Sequence, residues 1–350
     1  MLKKWALILA IPLILILLVA GAGYWIVFAP NTELYEGERD VYIPREATFE
    51  QVTDSLVSSD VLASRTTFEW FGKATGWADQ VKAGHYTFRA GASNHRILDK
   101  IRRGLQSPVQ LRIPSGTRPE VMAAVAGKYM AFPPQDFEAA LKDSALAKEL
   151  GTDTDNLFAY MLPETYFFYW LTGAPAVVRK VKAQFDQFYK ADIAAKADSL
   201  GLSKNEVVTL ASIVEWETGV EAEKPRIAAV YLNRLRKHWP LQADPTVQYA
   251  IMQKEGRKRR LFNSDYEIQS RYNTYLFQGL PPGPITNPSA STIRAVVNPE
   301  QNDYMYFVAK GDGTHIFSRT YSEHLRAVAR YRALMRERRR EQSETQQQAP

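Results

Sequence analysis

The strongest pattern along the chain is an apolar run near its beginning. From Trp5 to Ala29 no residue carries a charge, Lys3 and Lys4 precede the run, and Glu33, Glu36, Glu38 and Asp40 follow it. A bilayer needs about 20 apolar residues in a helix, so this stretch is long enough to cross one. Pro12 does not forbid the crossing, because a kinked membrane helix is repaired by its surroundings. Basic residues ahead of the run predict a cytoplasmic stub at 1–4, a membrane helix at 5–29, and everything later on the far side of the membrane. The small residues Ala20 and Ala22 resemble a signal-peptide cleavage site, but the apolar run continues well past them, which favours an uncleaved anchor. Trp5, Tyr24 and Trp25 sit near its ends, where interfacial aromatics belong.

A polar linker at 30–38 leads to shorter elements. V-Y-I-P at 41–44 reads as a strand, the stretch from Thr48 as a capped amphipathic helix, R-T-T-F-E-W-F-G-K-A as a second helix, and A-G-H-Y-T-F at 83–88 as a strand. The order strand, helix, helix, strand resembles a LysM-like module, which implies a small glycan-holding domain at 39–108. A helix from Asn94 to Arg103 stops before Gly104, and V-Q-L-R-I-P at 109–114 opens a larger domain at 109–340. That domain is mostly helical, with a helix expected over 177–199 and a hairpin from 303–309 and 314–318 around K-G-D-G-T. A last helix is expected from about Ser322 to Arg340, and the Gln-rich tail at 341–350 reads as disordered. The fold class is therefore α+β: an N-terminal transmembrane helix, a small βααβ domain and a larger mixed domain.

Within the larger domain, S-K-N-E-V-V-T-L-A-S-I-V-E-W-E-T at 203–218 fixes its own helical register. Ser203 and Glu206 form a capping box. Val207, Leu210, Ala211, Ile213 and Val214 then fall on one face. Glu217 lies three, four and seven residues beyond Val214, Ile213 and Leu210, within that stripe, whereas Glu215 lies well off its centre. A carboxylate on an apolar face is costly unless it is paired or protonated, so Glu217 is either a bonded structural acid or an acid with work to do.

Four further stretches carry candidate chemistry. P-E-T-Y-F-F-Y at 163–169 sets aromatics beside Glu164, a combination that suits sugar rings and equally suits a core. W-P-L-Q-A-D-P-T-V-Q-Y at 239–249 places Asp244 before Pro245, which reads as a helix N-cap and holds Gln242 and Asp244 in a rigid frame. Y-N-T-Y at 272–275 and L-P-P-G-P-I-T-N-P at 280–288 form preorganised loops of the kind on which sites are built.

Composition removes several function classes. The chain has 350 residues and no cysteine, so disulfides, thiolate catalysis and Cys-ligated zinc are excluded. Its five histidines show no i,i+3 or i,i+4 pair, and no metal site is expected. The net charge of +6 is spread along the chain except for R-E-R-R-R near its end, so nucleic acid is not an expected partner.

A-S-I-V-E-x-E-T, N-R-L-x(5)-L-Q-A-D-P-T-V-x-Y, Y-N-T-Y, G-L-P-P-G-P-I-x-N-P and Y-F-V-A-x-G-D-G-x-H-x-F, in this order behind an anchor, resemble the MltG (YceG-like) endolytic murein transglycosylases. The resemblance implies a lyase that cleaves the β-1,4 bond between N-acetylmuramic acid and N-acetylglucosamine in nascent peptidoglycan strands, leaving 1,6-anhydro ends and ending strand elongation. It implies no cofactor and no metal. The family's catalytic acid carries over to Glu217, and Trp216 replaces a basic residue between the two acids, on what the register reads as the solvent side. Gln242, Asp244, Tyr272, Asn273 and Glu164 are expected to line the groove. The implied partners are glycan strands and the peptidoglycan synthases of the elongation machinery. The implied location is the inner (plasma) membrane, single-pass, with the catalytic domain periplasmic or otherwise extracytoplasmic. Two alternatives stay open: a muramidase-type hydrolase with Glu164 or Asp244 as a second acid, and a non-catalytic glycan-binding scaffold that recruits synthases.

Overall fold

The structure, a computed structural model, describes residues 2–190 and 192–348. Helix α1 spans Leu2–Phe28, and its stretch Ala10–Phe28 is apolar throughout and exposed, which fits a single-pass membrane anchor. The chain separates into two compact units. One holds residues 1–111 with the short stretches 129–133 and 167–173; the other holds 112–128, 134–166 and 174–350.

In the smaller unit β1 (Glu38–Ile43) pairs antiparallel with β2 (Gly84–Arg89), and α2 (Phe49–Ser58) and α3 (Arg65–Thr75) lie between them in sequence. Thr48 caps α2 through a complete capping box with Gln51, and Ser64 caps α3. Helix α4 (Asn94–Arg103) stops at Gly104, whose φ of 69° is the left-handed geometry that suits glycine. Alternate strand residues Val41 and Ile43, Tyr86 and Phe88 turn inward onto Leu56, Phe68, Ile97 and Ile101.

The stretch expected as a linker at 30–38 is tied to this unit at its start. Asn31 is buried; its amide donates to Ser64 O at 2.9 Å and to Asn94 Oδ1 at 2.6 Å, and its Oδ1 accepts from Ser64 N at 2.8 Å. Asn94 in turn donates to Ile26 O at 2.8 Å, near the end of α1. Polar residues look like linker in sequence, but buried backbone groups need partners, and Asn31 supplies them to Ser64. A chain begun at residue 34 should therefore unfold at a lower urea midpoint than one begun at residue 30, by a stability difference on the order of 2–3 kcal/mol for the lost bonds and the orphaned Ser64 groups. Equal midpoints would show that Asn31 holds nothing.

Chain order continues with β3 (Val109–Arg112), α5 (Pro119–Tyr129), α6 (Pro134–Leu141), α7 (Ser144–Glu149) and β4 (Thr165–Phe168). The single helix expected over 177–199 is two, α8 (Ala174–Tyr189) and α9 (Asp192–Ser199), with no proline or glycine to announce the division. Then follow α10 (Lys204–Glu217), α11 (Lys224–Arg236), α12 (Asp244–Glu255), α13 (Ala290–Val297), the antiparallel pair β5 (Tyr306–Ala309) and β6 (His315–Ser318), and α14 (Tyr321–Gln348). Helix α14 runs on through most of the stretch expected as a disordered tail; residues 349–350 lie outside the described residues.

The larger unit is built around α10. The Ser203/Glu206 capping box starts it as the sequence predicts, but Val207 to Val214 are all buried, Thr209 and Ser212 included. The one-faced reading of this helix is thus corrected: α11, α12 and α13 pack around it, and between Val207 and Val214 no face is left for solvent. The proline-rich loop 280–288 is part of the reason. Ile285 N donates to Ser212 Oγ at 2.9 Å, and the fully buried Asn287 donates to Pro114 O and Met161 O at 2.9 Å each and accepts from Thr117 N at 2.9 Å. Its rigidity serves as a clamp on the helix, because preset proline dihedrals let it close buried backbone bonds at little entropic cost.

Candidate active site

Helix α10 ends on Glu217, with Thr218 extended beyond it. The carboxyl lies half-buried in the wall of a cleft of about 430 Å³, lined also by Trp216, Asp244, Pro245, Gln248, Lys258, Arg260, Leu261 and Tyr266. Its bond within the protein is a hydroxyl donated by Tyr231 at 3.3 Å. Burial, reinforced by the negative charge of Asp244, pushes the Glu217 carboxyl up to about 7, against the weaker pull of Tyr231 and Arg234. A helix C-terminus, where the backbone dipole is negative, acts in the same direction. Glu217 is therefore protonated to a large extent at neutral pH.

Glu215, two residues earlier, meets the opposite surroundings. Its Oε2 accepts from Ser289 N at 3.1 Å, Ser289 Oγ at 2.8 Å and the Thr292 hydroxyl, and the buried Lys224 ammonium stands 3.6 Å away. Burial pushes this carboxyl up, but the hydroxyls of Thr292 and Ser289, the Ser289 N–H and Lys224 outweigh it, and the group is held below its ordinary value. Although the register sets Glu215 well off the centre of the apolar stripe, its side chain is only 9% exposed, and it pins α13 to α10. Trp216 is likewise not on a solvent face. Its Nε1 donates to Gly116 O at 2.8 Å, and the Lys258 ammonium stands 5.1 Å over its ring. Two carboxylates on one helix end thus divide into a paired, ionised strut and an unpaired, protonated acid.

Asp244 is not the N-cap of α12. Ala243 occupies that position, Asp244 is the first helical residue, and its Oδ1 accepts from Tyr275 at 2.6 Å. Asp244 lines the cleft at the start of α12. Gln242 is exposed with φ 50° and does not line the cleft. Asn273 is fully buried; its amide donates to Tyr266 O at 2.9 Å and Ile268 O at 3.0 Å and accepts from Tyr275 N at 3.0 Å. The expectation that it touches sugar is corrected: it shapes the loop that carries Tyr266 and Tyr275. Tyr272 lines a separate hollow of about 250 Å³ with Tyr249, Phe158 and Gln253. Glu164 is exposed and lies outside both linings.

Tyr231, Arg234 and the basic pair Lys258 and Arg260 join the site without a motif of their own in the sequence. Tyr231 and Arg234 stand on an apolar helix, and that was the available signal, since a buried tyrosine hydroxyl or guanidinium must find partners. Arg234 donates to Met305 O at 2.8 Å and Leu241 O at 2.6 Å, tying α11 to the segment ahead of β5 and to the loop before α12. Lys258 and Arg260 belong to a loop with no regular pattern. Arg259 fixes that loop, with bonds to Glu255 of α12 at 2.7 Å and to Asp265 at 2.6 Å.

Residues 41–330 match the model of the YceG-like family. The chain belongs to that family. A relative in Bacillus subtilis (strain 168), named endolytic murein transglycosylase, is 30% identical over 307 residues, covering 83% of this chain and 84% of that one. A second of the same name in Streptococcus pneumoniae (strain ATCC BAA-255 / R6) is 26% identical, and this chain spans only 58% of its length. A YceG-like protein from Listeria monocytogenes, solved as a crystal structure, aligns at a TM-score of 0.59 and 27% identity over 83% of this chain and 99% of its own. The YceG-like match takes in both acids of α10, the loop before α12 and the clamp loop.

Proposed function

We propose that this protein is a membrane-anchored endolytic lytic transglycosylase, which cleaves the MurNAc-β-1,4-GlcNAc bond of nascent peptidoglycan strands and so ends their elongation. The observation that carries this reading is Glu217: a carboxyl without a basic partner, in the wall of a cleft, pushed up to about 7. Protonated, it donates to the glycosidic oxygen as the C1–O bond breaks. The muramyl C6 hydroxyl then attacks C1 and returns its proton to the same carboxylate, so one residue is acid and then base, and no water enters. An attacking group already attached to the sugar needs no second carboxylate to orient it. Tyr231 holds the carboxyl in place, and Lys258 and Arg260 suit the carboxylates of peptide stems.

The same reading gives Tyr272, beside Tyr249, a more distant sugar to stack on, and leaves Gln242 and Glu164 at most peripheral contact with the strand. The βααβ unit serves as a LysM-like holder of glycan on a helix that spans the inner membrane with its N-terminus in the cytoplasm; synthases of the elongation machinery are its natural neighbours. A hydrolase keeps one observation in its favour, since Asp244 lines the same cleft and its charge acts on Glu217. Products separate the two. Mass analysis of uncrosslinked strands digested by the purified protein should find 1,6-anhydro ends; reducing ends would assign Asp244 to water activation instead.

A further inference from the structure

We propose that Gln248 is a specificity-determining residue of the cleft, whose amide N–H2 reads the acetamido carbonyl of a sugar bound beside Glu217. The inference rests on the glycan-cleaving reading above. Gln248 is 7% exposed and lies one helical turn beyond Asp244 on α12, so both side chains share the face that lines the cleft. Its Nε2 is buried and makes no hydrogen bond. A buried donor without an acceptor is a cost that folded proteins rarely carry, and at a functional cleft it marks a partner that arrives with the ligand. The terminal torsion of a glutamine is broad and two-fold; turning it brings Nε2 to the cleft and carries Oε1 inward, and it breaks no bond, because neither atom bonds to any of the described residues.

The chemistry selects the partner. The free group is a neutral donor pair, which an uncharged carbonyl oxygen satisfies best. Sugar hydroxyls both donate and accept, so water replaces them readily. An acetamido carbonyl accepts only, and every sugar of the strand carries one at C2. A site built around an unpaired buried donor rejects the analogue that lacks the acceptor far more strongly than an apolar pocket rejects a missing methyl. The expected consequence is discrimination against N-deacetylated strands, whose C2 ammonium would also meet Lys258 and Arg260 in the same cleft.

The test measures binding and turnover on the full-length protein with matched uncrosslinked strands, N-acetylated or N-deacetylated. With Glu217→Gln, which should hold strands while cutting them only slowly, acetylated strands should bind at least tenfold more tightly. Adding Gln248→Met should reduce that preference severalfold or more, and in the otherwise wild-type protein Gln248→Met should raise KM on acetylated strands more than it lowers kcat. The thermal midpoint should stay level or rise, since no protein bond is lost; Gln248→Leu repeats the comparison with another apolar shape. Equal binding of the two strands by Glu217→Gln, an undiminished preference in the double variant, or a lowered midpoint with both strands weakened alike would overturn the proposal. Absence of cleavage by wild type, with the binding preference and its loss intact, would sink the catalytic reading alone.

Discussion

Glu217→Gln yields a folded protein that still binds glycan strands and cleaves them about 10² to 10⁴ times more slowly, the range that a positioned general acid contributes. Glutamine keeps the shape and the bond from Tyr231 but has no proton to give. The same substitution should stabilise the protein at alkaline pH. In the folded state Glu217 holds its proton up to about 7 against an ordinary value of 4.5. Below 4.5 both folded and unfolded chains are protonated and the residue costs nothing. Between 4.5 and about 7 only the unfolded chain releases the proton, so stability falls as pH rises, and above that window the loss is constant, at up to about 3 kcal/mol. Thermal midpoints should therefore coincide at pH 4 and favour Glu217→Gln at pH 8. Glu215→Gln should do the reverse: it removes the charge facing buried Lys224 and weakens the bonds to Ser289 and Thr292, with a lower midpoint at neutral pH and little selective effect on the chemical step. An inactive but stable Glu215→Gln beside an active Glu217→Gln would exchange the two roles assigned here.

The second large effect is on the pH profile. Because the acid must be protonated, kcat/KM should be level on the acid side and fall tenfold per pH unit above about 7. Two neighbours should move that alkaline limb in opposite directions. Asp244 raises the Glu217 pKa by its charge, so Asp244→Asn should bring the limb to lower pH. Tyr231 lowers it by donating to the carboxylate, so Tyr231→Phe should carry the limb to higher pH. Position, rather than height, is the measured quantity, since both variants also disturb the cleft. A steep acid limb in wild type that disappears in Asp244→Asn would make Asp244 an ionised partner, and the two-carboxylate hydrolase would replace the one-acid lyase.

Local signals carried much of the architecture. The N-terminal apolar helix, the capping box at Ser203, the Thr48 cap and the Gly104 stop are written within a few residues of where they act, because caps and apolar runs are satisfied by near neighbours. The register of α10 pointed to Glu217 for the same reason. What the sequence could not decide is how two acids on one helix end come to differ. Ser289 and Thr292, more than seventy residues away, turn Glu215 into a strut, whereas burial and the charge of Asp244, from another helix, keep the proton on Glu217 against the opposing bond from Tyr231. Asn273 and Tyr272, adjacent in the chain, part company likewise, one holding a loop from inside and the other lining a hollow. Burial and charge act through space over a few ångströms, so only the tertiary structure, by choosing which distant side chains arrive, decides which carboxyl keeps its proton.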